Sequence, residues 1–107
     1  MNRWNIPDLL EQEIIERDQA CIYCGVIFCL PDAKLGTPPS WEHIVNDAKI
    51  ITLENIALCC RSCNSSKGAK LLAVWLGSPY CERRGISKET IAEIARRSLQ
   101  NSNLPTT

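Results

Sequence analysis

Two Cys-x-x-Cys pairs, Cys21 with Cys24 and Cys60 with Cys63, constrain this chain more than anything else in it. Two intervening residues let both sulfurs of a pair bend back onto one ion, and Gly25 after the first pair tolerates the turn. Four thiolates complete a tetrahedral zinc shell with no position left for water, the structural kind of site. Such binding contributes on the order of 10 kcal/mol to folding. In a chain of 107 residues, with room for only a modest core, that decides whether it folds. Cys59 competes with its neighbour Cys60, but Cys60-Arg61-Ser62-Cys63 restores the two-residue gap and is preferred. Cys29 and Cys81 fall outside the paired spacing and read as small buried thiols.

Seven cysteines would suggest disulfides in a secreted protein, yet the number is odd. The N-terminus has no basic start followed by a long apolar run, and no stretch has the length to cross a bilayer. The expectation is therefore a cytoplasmic protein with no membrane partner and metal-bound thiolates. A hydrophobic content of 45% suits a globular chain, expected as one domain over 1–107 with its core at about 21–77. Net charge is zero but unevenly spread. Residues 1–60 carry four basic against nine acidic residues, a net of −5, and residues 61–107 carry eight against three, a net of +5. Such asymmetry permits a basic face on a neutral molecule.

The apolar pattern predicts an N-terminal helix at about 8–19, with Leu10 and Ile14 on one face and Leu9 and Ile15 widening it. Val26 to Leu30 reads as a short strand, and the proline-rich stretch after it as a loop. Ser40 to Val45 and Ile50 to Leu58, the second broken near Glu54 and Asn55, read as a hairpin with Asn46 to Lys49 near its tip. Helical spacing runs from Cys63 through Ala69, Leu72 and Leu76 until Gly77 and Ser78-Pro79 stop it. A helical turn PYCERR ends at Gly85, and Ser87 is placed to cap a last helix at about 88–100. The fold class expected is α+β.

The stretch Trp41 to Gly68 holds the only histidine, His43, preceded by Glu42 and followed by Asn55 and by Asn64 directly after the second knuckle, with Lys67-Gly68 shortly beyond. This arrangement, over about residues 21 to 70, resembles the HNH endonuclease family in the variant whose Cys-x-x-Cys knuckles bind structural zinc. The chain differs in having Glu42 where aspartate is commoner, and Asn46, Asp47, Ala48 and Lys49 where the family has a proline and paired glycines. The resemblance implies a small ββα-metal (His-Me finger) core. It implies His43 as the general base toward water attacking a DNA phosphodiester, Glu42 and Asn64 as oxygen ligands of a catalytic Mg²⁺, Mn²⁺ or Ni²⁺, and Asn55 as the residue that orients His43 or its loop. Elementary chemistry agrees: hard cations take carboxylate and amide oxygens, and an imidazole with pKa near 6.5 accepts protons at neutral pH.

Arg61, Lys67 and Lys70 lie beside these residues in sequence and are candidates for phosphate contact. Trp4, Trp41 and Trp75 read as packing residues rather than base-stacking platforms. The competing reading is a catalytically inactive, zinc-stabilised nucleic-acid-binding module. A protein-interaction zinc domain is disfavoured, because it would not need Glu42, His43, Asn55 and Asn64 in that order. Cutting both strands with one active site would call for a homodimer or sequential nicking.

Overall fold

In the computed structural model, residues 4–28 and 37–102 are described, with side chains to residue 100. Cys29, Leu30 and most of the proline-rich loop lie outside them. The chain runs α1 (Asp8–Arg17), β1 (Pro39–His43), β2 (Ile56–Cys60), α2 (Arg61–Lys67), α3 (Leu72–Leu76), α4 (Pro79–Arg84) and α5 (Glu93–Ser102). This is a small α+β fold: one two-stranded antiparallel sheet, five helices among the described residues, and a four-cysteine cluster. The register pairs Pro39 with Cys60, Trp41 with Leu58 and His43 with Ile56.

All five residues of β2 are buried, so elements cover it on both sides. Its residues share one core cluster with Ile6, Ile14, Ile22, Ile44 and Trp75, each with 2% exposure or less. The end of α1 is tied to β2 by charge. The Arg17 guanidinium holds both carboxylate oxygens of Asp18 and the carbonyls of Leu53 and Ile56, while Asp18 Oδ2 accepts the Leu58 N–H at 3.1 Å. On α1 Ile14 is the buried residue, while Leu9 and Ile15 are exposed rather than widening the apolar face.

Both strands are shorter than their apolar patterns. β1 ends at His43, not Val45, and β2 begins at Ile56, not Ile50, because Thr52 to Ile56 close a turn through Asn55 and Ile56 N–H bonds to the Thr52 carbonyl. Val26 to Leu30 contributes only isolated bridges, Ala20 to Ile27 and Phe28 to Thr37, within the described residues.

The helix expected from Cys63 to Leu76 is two helices. It starts earlier, with Cys60 as N-cap, and breaks at Gly68, whose φ of +52° favours glycine. The last helix starts at Glu93 instead of Lys88. Ser87 and Thr90 close a turn of their own, and the Ala92 N–H donates to the Ile22 carbonyl at 2.8 Å instead of continuing a helix. That bond docks the C-terminal segment on the first cysteine knuckle. α4 starts where Ser78 caps it and stops at Gly85, φ +68°.

Candidate functional site

The fold brings the two knuckles together at the start of α2. The sulfurs of Cys21, Cys24, Cys60 and Cys63 all lie within 4.8 Å of one another. Cys24 and Cys60 are 3.8 Å apart, which matches the edge of a tetrahedron with Zn–S bonds of about 2.3 Å, roughly 3.8 Å. Backbone N–H groups turn onto the sulfurs as a thiolate needs: Tyr23 and Cys24 donate to Cys21 Sγ, and Cys63 donates to Cys60 Sγ, each at 3.4 Å. A hydrogen bond from Cys63 lowers the Cys21 thiol to about 5 against the opposing effect of burial. Burial pushes Cys24 up to about 11. Four soft donors at tetrahedral spacing, supported by peptide N–H groups, fit a structural metal such as zinc.

Tyr80 was not legible as part of this centre. Its hydroxyl donates to Cys63 Sγ at 3.4 Å, lies 2.8 Å from Ser62 Oγ, and its ring carries the Arg84 guanidinium at 4.4 Å. Cys59, adjacent to the ligand Cys60, belongs to the core: it is buried, near Ser40 Oγ, and its thiol is pushed up chiefly by burial. Cys81 is likewise buried, as its lack of a spacing partner predicts.

Beside the knuckles, a cavity of about 290 Å³ is lined by Trp4, Trp41, Glu42, His43, Asn46, Ala48, Asn64 and Gly68. Three of the four residues singled out around His43 therefore meet. Alternation along β1 places Trp41 and His43 on one face and Glu42 on the other. The His43 ring is 8% exposed, packs edgewise on Trp4 at 5.1 Å between centroids, and leaves Nε2 buried without a hydrogen-bond partner. Burial lowers its pKa, Lys67 adds to this, and Asp47 opposes it. The balance favours the neutral imidazole at neutral pH.

Asn64, one turn into α2, donates Nδ2–H bonds to Ser40 Oγ and the Trp41 carbonyl, each at 3.1 Å. These bonds lock the amide onto β1. Asn55 does not line the cavity. Its Oδ1 accepts the Val45 N–H at 2.7 Å, and its Nδ2 donates to the Val45 and Ile50 carbonyls, so it staples the loop that leaves His43.

Glu42 is engaged from the core side. Its Oε2 accepts the Tyr23 hydroxyl at 2.6 Å and sits 3.1 Å from the Lys67 ammonium, which also donates to the Ile44 carbonyl at 2.9 Å. Burial raises the Glu42 pKa and Lys67 counters it. Lys67 is therefore not placed to touch phosphate: it is wholly buried as the partner of Glu42, a role invisible without the fold. Arg61 is exposed at the start of α2, and Lys70 is exposed with its ammonium on the Ser66 carbonyl; neither lines the cavity. Tyr23 is the other residue missed. Its position inside the first knuckle was the available signal.

No protein-family model, curated protein or solved structure matches the chain. Among the described residues, no helix is long and apolar enough to cross a membrane.

Proposed function

We propose that this chain is a metal-dependent endonuclease of the HNH type that hydrolyses DNA phosphodiester bonds on a ββα-metal core made of β1, β2 and α2. The observation that carries the reading is the convergence of His43, Glu42 and Asn64 on one cavity, with the imidazole Nε2 buried and unpartnered. A buried nitrogen without a partner costs free energy, and a proton-transfer role accounts for retaining one.

In this reading, water attacks phosphorus, His43 Nε2 takes the water's proton, the P–O3′ bond breaks, and the departing oxygen takes a proton from solvent, leaving a 3′ hydroxyl and a 5′ phosphate. Burial holds the ring neutral and ready to accept it. Asn55 fixes the loop after His43, and Asn64, tied to β1, holds α2 in register with the strand. Carboxylate and amide oxygens such as those of Glu42 and Asn64 suit a hard divalent cation such as Mg²⁺, Mn²⁺ or Ni²⁺, and Glu42 would hold one on turning from Lys67 and Tyr23. When bound, that ion supplies charge stabilisation at the phosphate and the leaving oxygen. The four-cysteine zinc is separate and structural.

Plasmid nicking tests this. With Mg²⁺, Mn²⁺ or Ni²⁺ the wild-type chain nicks DNA, and His43→Ala and Asn64→Ala lose nicking while keeping zinc. A second reading, an inactive nucleic-acid-binding module, draws on Glu42, whose Oε2 already holds an ammonium and a phenol. Wild-type protein that binds DNA and never nicks it with any of the three metals decides for the module.

A further inference from the structure

Trp4 and Trp41 differ from Trp75. Trp75 is fully buried, and its indole N–H is bound to Ser66 Oγ at 2.9 Å, as a packing residue requires. Trp4 and Trp41 are only partly buried and both line the cavity that contains His43. Trp41 shares the His43 face of β1, and its carbonyl is clamped by Asn64. Trp4 reaches the cavity from the N-terminal segment, ahead of α1. It is held there by Asn5, which adopts a left-handed φ of 60°, and by Ile6, which is 0% exposed. A non-glycine residue in that region is uncommon, and here it turns an indole back onto His43 over a buried anchor.

Among the described residues, no lysine or arginine lines this cavity. Phosphate attraction, the usual source of affinity for duplex DNA, is therefore not what its described lining supplies. Beside Glu42, whose carboxylate is already paired with Lys67, its groups are two indoles, an imidazole and amides, suited to the π-face and polar edge of a nucleobase. Bases inside an intact duplex keep both faces covered by their neighbours, so the nucleotide that offers a face to these indoles is an unpaired one whose base has left the stack.

We infer that Trp4 and Trp41 form a stacking site for one unpaired base, and that the preferred substrate is single-stranded DNA. This rests on the nuclease reading for its substrate class but not for its test. The full zinc-loaded chain is titrated, without added divalent cation, with a dT12 strand, with a 12-base strand carrying abasic sites, and with a 12-base-pair duplex, following indole fluorescence. The expected result is quenching by dT12 and at least tenfold tighter binding of dT12 than of either other probe. Trp4→Ala and Trp41→Ala each weaken dT12 binding by about 5- to 100-fold, the range that loss of one base–aromatic stack gives. Trp4→Phe and Trp41→Phe, which keep an aromatic face, retain most of it, and zinc content shows that every variant is folded.

Equal affinity for the abasic strand or the duplex overturns the inference, as does full dT12 affinity in both alanine variants. The two readings fail separately. Duplex nicking that is indifferent to both tryptophans removes the stacking site and leaves the nuclease; base-dependent dT12 binding without cleavage under any metal removes the nuclease and leaves the stacking site.

Discussion

Lys67, the last residue of α2, places its ammonium 3.1 Å from the Glu42 carboxylate, and both side chains are sealed from solvent, at 0% and 5% exposure. An isolated buried charge is costly, so each group is retained by the other. The Tyr23 hydroxyl completes the cluster from inside the first cysteine knuckle. Strand, helix and four-cysteine cluster are thus tied together at one carboxylate. Lys67→Met should destabilise the fold by about 3–5 kcal/mol, because it leaves Glu42 buried and unpaired. Adding Glu42→Gln to Lys67→Met should recover much of that loss, since a neutral amide needs no counter-charge. Urea unfolding of the two single variants and the double variant measures it; a Lys67→Met midpoint equal to wild type would show that the pair carries no coupling.

Cys60 caps α2 and also sits in the sulfur cluster, so its removal damages two things at once. Cys60→Ser is expected to lose bound zinc and cooperative unfolding together, as is the wild-type chain after chelation, because metal affinity on the order of 10 kcal/mol is folding free energy. Metal analysis beside far-ultraviolet circular dichroism checks this. A Cys60→Ser chain that stays folded with one zinc would transfer the ligand role to Cys59.

The four-cysteine cluster was legible because ligand spacing is a local geometric rule: two residues between sulfurs bring both to one ion wherever the knuckle lies. The stop of α4 at Gly85 was legible for the same reason, since glycine takes the left-handed cap. What sequence could not supply was tertiary. The periodicity across Gly68 looks continuous, yet one positive φ splits it into α2 and α3. Ser87 carries the signal of a helix start, but the Ala92 N–H finds its partner on Ile22, some seventy residues earlier in the chain, and the helix begins after that bond. Lys67 reads as a surface cation because lysine is almost never fully buried unless paired, and its partner is known only from the fold.

Asn55 substitutes a side chain for strand pairing where β1 and β2 have ended. Its three hydrogen bonds, two to Val45 and one to Ile50, are partly buried, and truncation strands the Val45 N–H and the Ile50 carbonyl, while the Val45 carbonyl keeps the Asp47 N–H. Asn55→Ala should cost about 2–4 kcal/mol, at roughly 1 kcal/mol per bond plus desolvation of the stranded groups. Amide exchange at Val45 should quicken more than exchange at Leu58 in the middle of β2. Unchanged Val45 protection would mean that the loop is held by something other than this amide.

His43 is the only histidine, so its titration is read without overlap. Its pKa is lowered by burial first and by Lys67 second, with Asp47 opposing. The unfolded chain, with an ordinary imidazole near 6.5, therefore binds the proton before the folded chain does. Stability contributed by this ring is complete above about 6.5 and is lost as pH falls through the lower folded value. The acid limb of any His43-dependent cleavage in the free enzyme should follow the same depressed value. Asp47→Asn tests the assignment cleanly, because Asp47 is exposed and an asparagine oxygen still accepts the Lys49 N–H. Removing the carboxylate takes away the one charge that favours the imidazolium, so the His43 pKa should fall further and the acid limb should move with it. Proton NMR of the imidazole C–H across pH measures the shift; a ring titrating at or above 6.5, or one that rises in Asp47→Asn, would mean that water reaches His43 freely and that burial does not set its protonation.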